Sequence, residues 1–174
     1  MKILTVYSSK TGNTKKVAEA IHEVMPEGSV LASLPSAPDP GGFDFIALGF
    51  WVDKGTADAH TLEYIKKIAG KKTGLFMTLG ASPDSEHAQK CMSAVRALLE
   101  PHNTVTREFI CQGKIDPELS KMFEKFPAGH PHAMTPERKA LHARAAAHPD
   151  GDDLRRAAAC FAGIGEAANA GSLP

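Results

Sequence analysis

The sequence predicts an α/β protein, a three-layer sandwich with a five-stranded parallel sheet and helices on both faces. Three observations predict it. Several short runs are apolar and rich in branched residues, the composition of strands buried on both faces. Segments with apolar residues at helical spacing stand between them. The two patterns alternate along the chain, which calls for parallel strands joined by right-handed crossovers.

The first strand opens at Ile3 and breaks at Ser8, where hydroxyls, an amide and a glycine follow. Apolar positions 17, 18, 21, 24 and 25 then define the first helix. Gly28 to Ser33 reads as a short second strand. Pro35 to Gly42, with three prolines and two glycines, is a connection. Phe43 to Phe50 is the third strand, closed at Gly49. Asp58 to Ala69 is a helix with Leu62, Ile65 and Ile68 on one face. Thr73 to Leu79 is a buried strand ending at Gly80. Asp84 is the expected cap of a helix through Leu99, whose inner stripe is Cys91, Met92, Val95, Leu98 and Leu99. Thr104 to Cys111 is the last strand, and Leu154 to Ala168 the last amphipathic helix.

Length and composition narrow the classes. A chain of 174 residues suits one domain, and 43% hydrophobic residues suffice for its core. A formal net charge of +0 gives no reason to expect a nucleic-acid or membrane partner. No apolar run is long enough to span a bilayer, and the N-terminus enters a strand at once, without a signal peptide. The three cysteines, Cys91, Cys111 and Cys160, are far apart and form no C-x-x-C pair, which reads as reduced thiols in a cytoplasm. A monomer or weak dimer is expected.

The most informative segment is Ser8-Ser9-Lys10-Thr11-Gly12-Asn13-Thr14. It joins the first strand to the first helix. It offers four hydroxyls beside the free N–H groups of a helix N-terminus, and a phosphate suits that combination. It has neither the glycines and Lys-Ser/Thr pair of a nucleoside-triphosphate loop nor a G-x-G-x-x-G turn. Ser9-x-Thr11-Gly12-Asn13-Thr14 resembles the FMN-phosphate loop of flavodoxins. The words Gly49 to Asp58 and Ile110 to Pro117 are similar to those of a short-chain flavodoxin-like subgroup. That subgroup includes accessory flavodoxin-like proteins of bacterial bilirubin reduction. The resemblance runs from residue 2 to about 168.

The resemblance implies the flavodoxin-like strand order 2-1-3-4-5. In such sheets the ligand binds outside the carboxyl ends of the strands, at the switch between the first and third. Three loops become cofactor contacts. Ser8, Ser9, Lys10, Thr11, Gly12, Asn13 and Thr14 would hold the phosphate of FMN. Phe50, Trp51, Val52, Asp53, Lys54 and Gly55 would lie against the ring. Trp51, the only tryptophan, is the expected stacking residue, with Phe50 second. Leu79, Gly80, Ala81 and Ser82 would reach the ring with backbone groups. The third loop departs from the family, since no tyrosine lies between Gly80 and Lys90. His87 is the nearest substitute.

Between the last strand and the last helix, residues 112–153 read as a helical insertion. Asp116-Pro117-Glu118 and Thr135-Pro136-Glu137 are helix starts with proline at N1. The segment leaves a strand's carboxyl end, so it is either a peripheral cover for the edge strand or a wall of the ring site. Phe126, Met134 and His130 are the candidates to approach the ring. His130, His132, His142 and His148 match no zinc spacing, and no metal is expected.

The function implied by the resemblance is electron transfer through FMN to a redox partner protein, a reductase or flavoenzyme, with no catalytic side chain. An FMN-dependent NAD(P)H oxidoreductase acting on a small organic acceptor is the alternative. A non-redox binding module on the same fold is the third reading.

Overall fold

The computed structural model describes residues 1–165. Six strands and six α-helices follow the order β1 (Ile3–Tyr7), α1 (Asn13–Glu23), β2 (Val30–Ser33), β3 (Phe45–Asp53), β4 (Thr56–Ala57), α2 (Ala59–Ile65), β5 (Lys72–Leu79), α3 (Glu86–Leu99), β6 (Thr104–Gln112), α4 (Pro117–Glu124), α5 (Pro136–Ala145) and α6 (Gly151–Phe161). The parallel strands lie in the order β2-β1-β3-β5-β6. That is the expected 2-1-3-4-5 arrangement once the two-residue β4 is set aside.

Both faces of the sheet are buried, and the period of two along each strand sorts the side chains. Leu4, Val6, Ile46, Leu48, Phe50, Leu75 and Met77 share one core with Cys91, Met92, Val95 and Leu99 of α3. Ile3, Phe45, Ala47 and Phe76 share the other with Val17, Ala18 and Ile21 of α1 and with Ala157 and Phe161 of α6. Burial raises the thiols of Cys91, Cys111 and Cys160 above the ordinary cysteine value, so none has the depressed pKa of a reactive nucleophile.

Gly49 shows how tightly the sheet centre is filled. A Cβ built there would lie 2.1 Å from Cε2 of the buried Phe76. That ring is itself held edge-on against Phe161, with centroids 6.0 Å apart. Gly49→Ala is therefore expected to cost about 1–3 kcal/mol of stability through overpacking. A urea titration should show a lower midpoint with an unchanged slope.

Several boundaries differ from the sequence expectation, each for a local reason. Gly28 has φ +82° and belongs to the turn, so β2 starts at Val30. Ser85, not Asp84, caps α3 by accepting the Ala88 N–H at 3.2 Å. The second helix is shorter, ending at Ile65, although Ile68 stays buried in the following turn. β3 runs to Asp53 because Lys54 and Gly55, both at positive φ, form a two-residue hairpin turn into β4. α6 starts earlier than expected, at a capping box made by Asp150 and Asp153, and ends at Phe161. Residues 166–168 of the expected last helix lie outside the described residues. The helix starts at Asp116-Pro117 and Thr135-Pro136 stand as read.

The same capping box yields a pH prediction. Burial opposes the charge of Asp153, but hydrogen bonds from His148, the Asp150 amide and Arg156 outweigh it and hold the carboxyl below its usual range. A depressed carboxylate stabilises the fold above its unfolded pKa of about 3.9, and that contribution is lost as pH falls through the folded value. The wild-type protein should therefore lose stability below about pH 4 more steeply than Asp153→Asn. Urea midpoints at pH 5, 4 and 3 read the difference.

Candidate flavin site

The carboxyl ends of β1, β3 and β5 and the start of the β6–α4 connection border one cavity of about 440 Å³. From the first loop, Lys10, Thr11, Asn13 and Thr14 line it. From the second come Trp51 and Val52. From the third come Leu79, Gly80 and Ala81.

The first loop is built around the N-terminus of α1. Gly12 sits at the N-cap with φ +88°, a conformation that L side chains rarely adopt. Ser9 Oγ accepts the Lys15 N–H at 3.3 Å. Thr11, Gly12, Asn13 and Thr14 have backbone N–H groups with no acceptor among the described residues. These orphan donors carry the positive end of the helix dipole.

The loop hydroxyls do not all face the cavity. Ser8 is buried and donates to Asp58 Oδ1 at 2.8 Å. Thr14 Oγ1 pairs with Thr78 Oγ1 at 2.9 Å, also in a buried place. Asn13 Nδ2 donates to the Lys114 carbonyl at 2.8 Å and to Thr11 Oγ1 at 3.0 Å. The hydroxyls thus brace the loop, while its amides stay free for an anion.

Two cations of the first loop and helix are engaged as well. The Lys10 ammonium lies 3.0 Å from Asp116 and 5.6 Å from the centroid of the Trp51 ring. This contact with Lys10, joined by the Glu118 amide, holds the Asp116 carboxyl below its usual range. Lys15 pairs with Glu19 at 3.7 Å.

In the second loop the strand alternation separates the two aromatic candidates. Trp51 is half-buried and lines the cavity, whereas Phe50 is fully buried in the core. Phe50 is thereby removed as a stacking residue. Asp53, Lys54 and Gly55 form the hairpin end and do not line the cavity. In the third loop Ser82 is exposed and its carbonyl accepts from Ser85, away from the cavity. His87 does reach the cavity.

Residues 112–153 do border the cavity, the second of their two sequence readings, but through side chains that sequence reasoning did not name. Ile115, Leu119, Phe123, Arg138, Leu141 and His142 line the cavity from the β6–α4 connection, α4 and α5. Ile115 lies where a Cβ on Gly80 would come within 2.6 Å of its Cγ1. Burial, then the charge of Arg138, lowers the pKa of His142 and leaves it neutral at pH 7. Phe126, His130 and Met134 do not line the cavity. Phe126 and His130 stack on each other instead, with centroids 4.0 Å apart. The i,i+4 spacing of Leu119 and Phe123 was the available signal for this wall.

His148, Asp150 and Asp153 also gather, with possible ligand atoms within 4.8 Å of one another. Each is already engaged in fastening α6. Asp150 caps the helix, and Asp153 accepts from His148, the Asp150 amide and Arg156. The cluster is accounted for by the fold.

A sheet of this order, with a ligand cavity at its switch point, is the architecture of the flavodoxin class. The flavodoxin domain family model matches residues 4–162, and the chain belongs to that family. Within it, the chain is similar to the flavodoxin-like domain-containing protein BilS of Clostridioides difficile (strain CD3), with 31% identity over 90% of this chain and 92% of the relative. The BilS of Clostridium symbiosum (strain WAL-14163) is 29% identical over 88% of this chain and 90% of its own. Among solved structures, the two-electron reduced flavodoxin of Megasphaera elsdenii is 25% identical. It has a TM-score of 0.50 and covers 83% of this chain and 98% of its own. No helix among the described residues is long and apolar enough to cross a membrane.

Proposed function

We propose that the protein binds FMN in this cavity and carries electrons to a partner reductase or flavoenzyme. The observation that carries the reading is the set of orphan amides at Thr11, Gly12, Asn13 and Thr14, three of whose residues (Thr11, Asn13 and Thr14) line a cavity that also holds Trp51. A phosphate ester suits the amides, and a flat apolar ring suits the aromatic wall. Bound FMN supplies the redox chemistry. The chain's own residues bind the phosphate, cover the ring and limit water around it. Nothing in this role requires a general acid or base.

The test begins with the protein as purified from cells. It should be yellow and release FMN on denaturation. In anaerobic stopped flow, NADPH alone should reduce the bound flavin slowly, and a catalytic amount of a flavoprotein reductase should accelerate that reduction. Rapid reduction by NADPH without a reductase would replace the carrier reading with that of an oxidoreductase. A colourless protein that rejects added FMN would overturn both.

A further inference from the structure

α4 is amphipathic and α5 is mostly polar, and neither has a core of its own. α4 buries no residue, and α5 buries only Ala145. A helix that packs on a protein normally buries an apolar stripe. Here the apolar residues Leu119 and Phe123 of α4 and Leu141 of α5 line the cavity instead. Leu119 is 39% exposed, a high value for a leucine directed at a site.

The segment is fastened at its roots by polar contacts. The Gly113 N–H donates to the Leu79 carbonyl at 2.9 Å, and the Lys114 N–H donates to the His148 carbonyl at 2.8 Å. The first of these joins one end of the segment to the third cavity loop, and the second joins its two ends to each other. Asn13 and Asp116 tie it to the phosphate loop. A Cβ on Gly113 would lie 2.7 Å from Asn13 Nδ2, so the root rests directly on that loop. Within the segment, Phe123 stacks on His132 with centroids 5.8 Å apart, and the Arg138 guanidinium lies 5.1 Å from the Phe123 ring. These contacts hold α4, the connecting loop and α5 together as one unit.

We propose that residues 113–148 form a hinged wall of the flavin site, completed by its ligand: Leu119, Phe123, Leu141 and His142 close over the bound ring, and the ring supplies the apolar surface that α4 and α5 otherwise lack. The inference rests on the FMN reading. Ligand and wall stabilise each other, because burying the leucines and the phenylalanine requires the ring. The wall does for this chain what a tyrosine in the third loop would do, and it adds a gate that must open for the cofactor to leave.

Hydrogen exchange of the wild-type protein, with and without FMN, tests it. Amides of α4 and α5 should exchange at least about tenfold more slowly with FMN bound, while those of β1, β3 and β5 change less. Leu119→Ala and Leu141→Ala should each speed FMN dissociation, by about tenfold for a well-buried leucine. The melting temperature of the flavin-free protein should stay unchanged in both variants. Equal exchange in both forms, or wild-type dissociation rates in both variants, overturns the wall. A wild-type protein that takes up no FMN overturns the cofactor reading itself, and the wall with it.

Discussion

Riboflavin, which lacks the phosphate, should bind this protein about 10²–10⁴-fold more weakly than FMN. Each charge-assisted hydrogen bond is worth about 1.5–3 kcal/mol, and two of the orphan amides at the α1 N-terminus would supply about 3–6 kcal/mol. Tenfold in affinity is about 1.4 kcal/mol. The cations near the loop add less. Lys10 is paired with Asp116, and Lys15 with Glu19, and both lysine side chains are more than half exposed. Exposed pairs of this kind contribute about 0–1 kcal/mol. Lys10→Met should therefore shift FMN affinity by less than about fivefold. Quenching of flavin fluorescence measures all three constants. Equal affinities for riboflavin and FMN would remove the anion from the site, and a large loss in Lys10→Met would move its recognition from amides to a cation.

The amide site could be read from the sequence because its signal is local. A strand, a single glycine and a helix start within seven residues fix the geometry of Gly12 and the N–H groups that follow it. The strand order was accessible through the resemblance, once alternating strands and helices with right-handed crossovers had left few topologies. What was not legible depends on partners far away in the chain. Ser8 resembles its hydroxyl neighbours in sequence, yet its acceptor is Asp58, 50 positions on. Phe50 and Trp51 are adjacent aromatics, and only a strand continued to Asp53 sends them to opposite faces. The hairpin that continues it turns at Lys54-Gly55 rather than at the commoner Asn-Gly or Asp-Gly. The α5 wall was hidden for a different reason. Pro136 to Ala145 is mostly charged residues and alanine, so Leu141 stands without an apolar stripe to announce it.

Asp58→Ala should cost about 3–7 kcal/mol, the largest loss expected from a single side chain around the site. Asp58 is 3% exposed and joins the first two loops of the cavity. Its Oδ1 accepts from Ser8 Oγ at 2.8 Å and from the His60 and Thr61 amides at 3.1 and 3.3 Å. Its Oδ2 accepts from Thr61 Oγ1 at 2.8 Å. Truncation removes the N-cap of α2, worth about 1 kcal/mol. It also strands the buried hydroxyls of Ser8 and Thr61, at about 1–3 kcal/mol each if they find no other acceptor. Asp58→Asn keeps one acceptor oxygen and the side-chain shape, so it should cost about 1–2 kcal/mol. Because Ser8 is the first residue of the loop proposed to hold the phosphate, the loss should also reach the ligand. In Asp58→Ala, FMN affinity should fall together with stability, whereas Gly49→Ala, which disturbs the sheet centre, should lower stability with a smaller effect on binding. Urea unfolding and flavin titration of the same three variants separate the two effects. An Asp58→Ala protein as stable as wild type would show that Ser8 and Thr61 find other partners.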